Sequence, residues 1–106
     1  MKKDSISCVE ACLNCYTACL DCANENIKMA SEEMLDCIQL CLDCAEICNL
    51  CARFCATDSM HSKRICEICA DICRSCADEC EKHAHEHCLQ CAEACRTCQA
   101  ECEAMA

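Results

Sequence analysis

Cysteine recurs along the chain in steps of three and four residues, in four segments separated by stretches without cysteine. The steps alternate strictly within each segment, which gives the average spacing of 3.5 residues that defines the a and d positions of a helical heptad. A strand would need steps of two. The four segments hold Cys8, Cys12, Cys15, Cys19 and Cys22; Cys37, Cys41, Cys44, Cys48, Cys51 and Cys55; Cys66, Cys69, Cys73, Cys76 and Cys80; and Cys88, Cys91, Cys95, Cys98 and Cys102.

Each segment is predicted to be one α-helix, because the residues between the cysteines are good helix formers and no glycine or proline interrupts them. The predicted helices cover about residues 5–24, 31–56, 60–81 and 86–104. Their starts are marked by possible N-caps, and short connections at 24–26, 57–59 and 81–85 make neighbouring helices antiparallel. The candidate caps are Ser5, Ser7 with Glu10 as a capping box, Ser31, and Asp58, Ser59 or Ser62. The predicted fold is all-α, a single domain of residues 1–106 that forms an antiparallel up-down-up-down four-helix bundle.

The residues around the cysteines predict which way the cysteine stripe faces. Polar residues occupy the heptad position opposite the cysteines, whereas the flanking positions are apolar, so the cysteines are expected to line the core. The polar positions are Glu10, Thr17, Gln39, Glu46, Arg53, Asp71, Asp78 and Glu93. The apolar flanks are Val9, Ala18, Ile38, Leu40, Ile47, Phe54, Ile65, Ile72, Ala92 and Ala94. Leucine or isoleucine on the seam would bury more apolar area, so packing alone does not explain cysteine at every seam position.

Composition and charge narrow the function classes. The chain has 21 cysteines, one phenylalanine, one tyrosine and no tryptophan, so bulky core residues are scarce. Its 19 acidic and nine basic residues give a formal charge of −10, which disfavours nucleic acid and anionic membranes as partners and favours cations. No apolar run is long enough to be a signal peptide or to span a bilayer, so we expect a cytoplasmic location.

A reducing cytoplasm makes metal binding the expected use of so many cysteines, rather than disulfides. Neighbouring cysteines on one helix have Cβ atoms about 5–6 Å apart, whereas a disulfide needs roughly 3.5–4.5 Å. Disulfides between helices stay open as an alternative. A redox enzyme is disfavoured because a thioredoxin-type C-x-x-C belongs in a βαβ setting. Ferredoxin spacings and inward Glu-x-x-His pairs are also absent from the sequence, which disfavours iron–sulfur and ferritin-like sites.

The spacing of the thiolates favours Cu(I) or Zn(II) as the metal, and the net charge of the occupied site distinguishes between the two. A Zn(II) ion with four thiolates leaves a net charge of −2, and several such sites in one narrow core would bury uncompensated charge. Monovalent copper can use two or three thiolates and share them between ions. The expected capacity lies between about 10 Cu(I) with private thiolate pairs and about 20 with full sharing. A capacity of this size indicates storage. Burial should keep the thiols of the empty core protonated, so copper displaces protons and affinity falls as pH drops.

A four-helix bundle with C-x-x-x-C and C-x-x-C repeats on every helix resembles the bacterial copper storage proteins, and the expected lack of an export signal makes the chain similar to their cytosolic branch. The resemblance runs from Cys8 to Cys102. It implies many Cu(I) ions along the bundle axis, a homotetramer, and a role in copper sequestration, storage, detoxification or supply rather than catalysis. It also implies that each seam cysteine is a metal ligand. A zinc or mixed d10-metal thiolate buffer and a copper chaperone are the alternatives, and a chaperone that donates or accepts copper is a candidate partner.

The heptad register also indicates which residues lie at the ends of the bundle. His83 follows Cys80 on the seam, and Met34 precedes Cys37. In the predicted topology both lie at the end that contains the connection between helices 3 and 4, and thioether and imidazole are ligands that suit Cu(I). We therefore predict that this end is the copper port, with His83 and Met34 as additional ligands. Asn26, Met29, His85 and His87 are expected at the same end, and Met1, Met60, His61 and Met105 at the other.

Apolar residues on the outside of the predicted bundle indicate self-association. Leu13, Leu20 and Leu42 are expected to point outward, as are Leu50 and Ile68. Helix 1 concentrates these residues and also holds Tyr16, so the predicted interface involves helix 1 and part of helix 2.

Overall fold

The computed structural model describes residues 1–105, and these form four α-helices and one short 3-10 turn. Helix α1 covers Lys3–Met29, α2 covers Leu35–Ala56, α3 covers Ser62–Cys80 and α4 covers Glu86–Met105, with the 3-10 turn at Glu32–Met34. Each helix packs against the next, and α4 closes the ring by packing against α1. The bundle measures 42 × 17 × 17 Å. The predicted all-α up-down-up-down bundle is confirmed. Within residues 1–105, none of the helices has the length and apolar character needed to cross a membrane.

Two details of the first predicted helix were wrong. The connection expected at 24–26 is helical, and α1 continues to Met29, where Ala30 adopts a left-handed conformation with φ of 51° and ends the helix. Tertiary burial overrides the weak helix propensity of the two asparagines in this stretch, because Asn26 lies inside the bundle. Ser5 and Ser7 are not N-caps, since α1 already begins at Lys3. Ser31 does cap the following turn: its side chain accepts a hydrogen bond from the backbone amide of Glu33.

The second connection is also longer than predicted, since α3 begins at Ser62 rather than near residue 60. Asp58 adopts a left-handed conformation with φ of 51°, which aspartate tolerates better than most residues. The Ser59 side chain accepts a hydrogen bond from the amide of His61, and the Ser62 hydroxyl donates one to the carbonyl of Phe54. The second of these bonds ties the start of α3 to the end of α2.

The core consists of sulfur surrounded by small side chains. Every cysteine is at most 1% exposed, and the buried residues beside them are mainly alanines, which let the helices approach one another closely. The buried alanines are Ala11, Ala23, Ala45, Ala52, Ala70, Ala77 and Ala92. The larger apolar flanking residues are half-buried in the grooves between neighbouring helices, and the predicted polar positions are all exposed. The heptad assignment made from the sequence is therefore confirmed, and the cysteine stripe faces inward.

Candidate metal centre

Sulfur atoms from all four helices are in contact along the bundle axis. Neighbouring Sγ atoms lie between 3.5 and 4.0 Å apart, so they touch without being covalently bonded, and all the cysteines are free thiols. Cys15 illustrates the pattern, because its Sγ lies 3.9 Å from Cys19 on the same helix, 3.8 Å from Cys44 on α2 and 3.6 Å from Cys95 on α4. Contacts of this kind join all the cysteines except Cys22 and Cys88 into one network. A disulfide-braced core does not agree with this arrangement.

The sulfur atoms also form groups of four that are compact enough to hold a metal ion. At least five such groups have all their Sγ atoms within 4.8 Å of one another. Three of them take one cysteine from each helix: Cys8, Cys51, Cys66 and Cys102; Cys12, Cys51, Cys69 and Cys102; and Cys15, Cys48, Cys73 and Cys98. The groups overlap, because Cys15 belongs to two of them, as do Cys51 and Cys102. Adjacent sites must therefore share thiolates, which is the arrangement of a continuous thiolate-bridged cluster rather than of separate closed sites.

Burial keeps these thiols protonated until a metal displaces the proton. Removal from water raises the pKa of Cys55 to about 12 and the pKa of Cys88 to about 11, because the thiolate loses its hydration. A protonated thiol is a weak hydrogen-bond donor, and the S–H groups of the core satisfy one another through the short sulfur contacts. The empty core is thus electrically neutral, and each thiol releases its one proton when it first binds a metal ion.

One end of the bundle is formed by the C-termini of α1 and α3 and the N-termini of α2 and α4. We call it the 3–4 end. The predicted ligands Met34 and His83 both lie at this end. Met34 is 2% exposed and belongs to the core. His83 is largely buried, and its Nε2 atom lies 3.0 Å from a carboxylate oxygen of Glu79. Met29 is exposed and does not join the core.

Asn26, His85 and His87, which the sequence places at the 3–4 end, are linked by contacts into a group that the sequence did not predict. Asn26 is fully buried and contacts Cys22, Cys37 and Cys88, while His87 lies 2.7 Å from its Oδ1 atom. The sequence placed Asn26 and His87 at this end but indicated no role for either. The ring of His85 stacks on that of His87, with 5.5 Å between the ring centroids.

The opposite end of the bundle is called the far end here, and its candidate ligands do not cluster. Met60 is 90% exposed, Met1 and His61 are also exposed, and only Met105 packs against the core. The far end carries exposed residues of both signs: the bases Lys2, Lys3, Lys63 and Arg64 and the acids Asp4, Asp58 and Glu103. The 3–4 end is predominantly acidic, with Glu25, Glu32, Glu33, Asp36, Glu79, Glu81 and Glu86 against the bases Lys28 and Lys82. The electrostatic field therefore attracts cations to the 3–4 end.

Comparisons with known proteins agree with this site. The family model described as "Copper storage protein" matches residues 1–106. A search of curated protein sequences finds no match. Among solved structures, the Cu(I)-bound copper storage protein BsCsp3 is 43% identical, with a TM-score of 0.94, over 98% of this chain and 99% of that chain.

Two further solved structures extend the comparison. The apo copper storage protein 3 from Bacillus subtilis is 44% identical, with a TM-score of 0.87, over 95% of this chain and 97% of that chain. A cytosolic copper storage protein from Streptomyces lividans, determined with five coppers, is 33% identical, with a TM-score of 0.91, over 97% of this chain and 92% of that chain. The match to the family covers the full length given, and the buried cysteine network agrees with the family's description as copper storage proteins. This chain belongs to the copper storage protein family.

Proposed function

We propose that this chain binds many Cu(I) ions through its core cysteines and stores them in the cytoplasm, which sequesters copper and protects against its toxicity. The observation that supports this most directly is the overlap of the buried four-cysteine groups, since one thiol can then serve two ions. The similar structures point the same way, because one is described as Cu(I)-bound and another as a cytosolic protein loaded with copper. All 21 cysteines act as ligands in this proposal.

Charge favours copper over zinc in this core. Each Zn(II) ion takes four thiolates of its own and leaves two negative charges, whereas Cu(I) with shared thiolates approaches one positive charge for each negative sulfur. The bundle is only 17 Å across and its sulfur atoms exclude water, so unbalanced charge is costly there. Because neighbouring four-cysteine groups share members, they cannot all hold zinc at once.

Anaerobic titration of the reduced protein tests this function. We expect between about 10 and about 20 Cu(I) per chain, with thiolate-to-copper absorption growing throughout, against at most about five Zn(II). Proton release should accompany copper uptake, since the thiols are protonated beforehand, and lower pH should weaken binding. Saturation at one or two Cu(I), or equal saturation by both metals, would contradict copper storage.

A storage role also fits the inaccessibility of the thiols. A catalytic cysteine is an exposed thiol with a lowered pKa, whereas every cysteine of this chain is buried. We therefore propose that the chain is not an enzyme. Catalysis of thiol–disulfide exchange by the metal-free protein, above the rate of an equal concentration of glutathione, would contradict this.

Copper enters and leaves through the 3–4 end in this proposal. The acidic residues there attract Cu(I), and Met34 and His83 supply ligands between solvent and the first thiols. A small thiol or a copper chaperone delivers or removes the ion at the same end. The far end lacks this acidic excess and its candidate ligands are scattered, so it does not serve as the port.

The homotetramer implied by the family resemblance is supported by a second apolar seam on the outside of α1. Ile6, Leu13, Leu20 and Ile27 are exposed and repeat every seven residues, which is the pattern of a helix that packs against another helix. The exposed Leu35 and Leu42 continue this face onto α2. We propose that this face binds further copies of the chain.

Analytical ultracentrifugation checks the proposed interface. Leu13→Glu with Leu20→Glu should dissociate the oligomer, because two charges would be buried in an apolar contact. Leu50→Glu with Ile68→Glu is the matched control. Leu13, Leu20, Leu50 and Ile68 are all between 37% and 48% exposed, but Leu50 lies on α2 and Ile68 on α3. A wild-type chain that sediments as a monomer, or equal dissociation of both variants, would contradict the proposal.

A further inference from the structure

Asn26 occupies a place where the cysteine repeat of α1 would continue, four residues after Cys22. Its side chain is fully buried, and only Asn26 and Ser5 are buried polar residues within residues 1–105. The Nδ2 group donates to the Sγ atoms of Cys22 at 3.6 Å and Cys37 at 3.3 Å. The Oδ1 atom accepts from Cys88 Sγ at 3.7 Å and lies 2.7 Å from Nε2 of His87.

These four contacts use the full hydrogen-bonding capacity of a carboxamide, which has two N–H donors and two acceptor positions on the oxygen. The partners come from α1, α2 and α4, so the amide joins three helices at the 3–4 end. A cysteine at this place would extend the sulfur network, but it would offer only one weak donor. The amide instead links the thiols to an imidazole, which no other buried side chain within residues 1–105 does.

The contact with Asn26 fixes the tautomer of His87. An amide oxygen only accepts, so the neutral ring must carry its proton on Nε2 and keep its lone pair on Nδ1. The distance of 2.7 Å is that of a short N–H···O hydrogen bond. The nitrogen that is free to bind a metal is therefore Nδ1.

The same amide prepares two thiols for metal. The Nδ2 group donates to the Sγ atoms of both Cys22 and Cys37, so it holds these two sulfur atoms close together. Cys22 lies on α1 and Cys37 on α2. Cys22 and Cys88 contact each other but no other sulfur atom, so this pair lies outside the main network. Asn26 holds this outer pair beside Cys37, at the start of the network.

We propose that Asn26 is a positioning residue for copper uptake, which presents Nδ1 of His87 to incoming Cu(I) and holds Cys22 and Cys37 as the first thiols to receive the ion. This inference rests on the proposed copper storage and on uptake at the 3–4 end. The transfer is a ligand exchange: a copper–nitrogen bond breaks, copper–sulfur bonds form, and each thiol that binds releases its proton to water. Copper stays monovalent throughout.

The first measurement uses the metal-free protein, so it does not depend on copper binding. Nitrogen-15 NMR at pH of about 8, where histidine is neutral, should show His87 of the wild type protonated at Nε2. Asn26→Asp keeps the acceptor and should keep this tautomer, whereas Asn26→Leu removes it and should give a mixture. Asn24→Leu, at an exposed position on the same helix, is the matched control and should match the wild type. An Asn26→Leu protein that stays wholly Nε2-protonated would overturn the proposal.

The second measurement is the rate of Cu(I) uptake from a weak chelator under anaerobic conditions. Asn26→Leu should bind the first equivalents about tenfold more slowly than the wild type or Asn24→Leu, which corresponds to the loss of about one hydrogen bond. Its final capacity should fall by at most about two ions, because most of the network is unchanged. Should the leucine variant fail to fold, Asn26→Asp gives the result, since it lacks the Nδ2 donors and should also be slow.

The two measurements separate this inference from the function on which it rests. A wild-type capacity well below about 10 Cu(I) would refute storage itself. A wild type that stores copper, together with an Asn26→Leu or Asn26→Asp variant that loads at the wild-type rate, would leave storage intact and overturn the role of Asn26.

Discussion

Replacing Cys15, Cys48, Cys73 and Cys98 together by alanine should lower the Cu(I) capacity by about two to four ions and destabilise the metal-free bundle by about 4 kcal/mol. The capacity falls by two ions if each ion uses a private pair of thiolates and by four if thiolates are fully shared. The stability falls because each lost sulfur leaves a small cavity in a close-packed core, at about 1 kcal/mol per site. All four side chains are fully buried, so solvent cannot fill the space.

The matched control replaces one exposed residue of each helix by alanine: Asn14, Glu46, Glu67 and Thr97. These substitutions should change stability by less than about 0.5 kcal/mol each and leave the capacity unchanged. Capacity is measured by anaerobic titration and stability by urea unfolding of the reduced protein. If the variant that lacks these four cysteines binds as many Cu(I) ions as the wild type, the core thiols are not the ligands.

Replacing His83 by alanine and Met34 by leucine should slow Cu(I) uptake about tenfold while changing the capacity by at most about two ions. Leucine fills nearly the volume of methionine but lacks the sulfur atom, so the variant tests ligation rather than packing. The physical reason is that a thioether and an imidazole nitrogen bind Cu(I) without losing a proton, whereas a thiol must lose its proton first. Without them the ion must reach buried, protonated thiols directly.

The far end provides a control with the same pair of residue types. Met60→Leu with His61→Ala alters a methionine and a histidine that are both exposed beside basic residues. This variant should take up Cu(I) at the wild-type rate, measured by stopped-flow absorption of the thiolate-to-copper band. If it is the slower of the two variants, copper enters at the far end and the assignment of the port is wrong.

The local sequence was sufficient to predict the helices and the inward face of each one. A strict repeat of three and four places every cysteine on one side of a helix, and the polar residues opposite, such as Glu10 and Glu46, leave no other orientation. The predicted ends of the helices were less accurate, because the balance between helix and turn depends on burial. Asn24 and Asn26 look like turn residues in the sequence, yet the bundle holds Asn26 in its interior and α1 continues past it.

By itself the sequence determined that the chain is a four-helix bundle with a core of thiols, because heptad spacing and side-chain polarity are properties of each helix alone. Only the tertiary structure decided which thiols meet, since a contact such as that of Cys15 with Cys95 depends on how helices far apart in the chain are aligned. The same holds at the 3–4 end. The link from His87 through Asn26 to Cys37 joins three helices, and no spacing along one helix encodes the relative height of its neighbours.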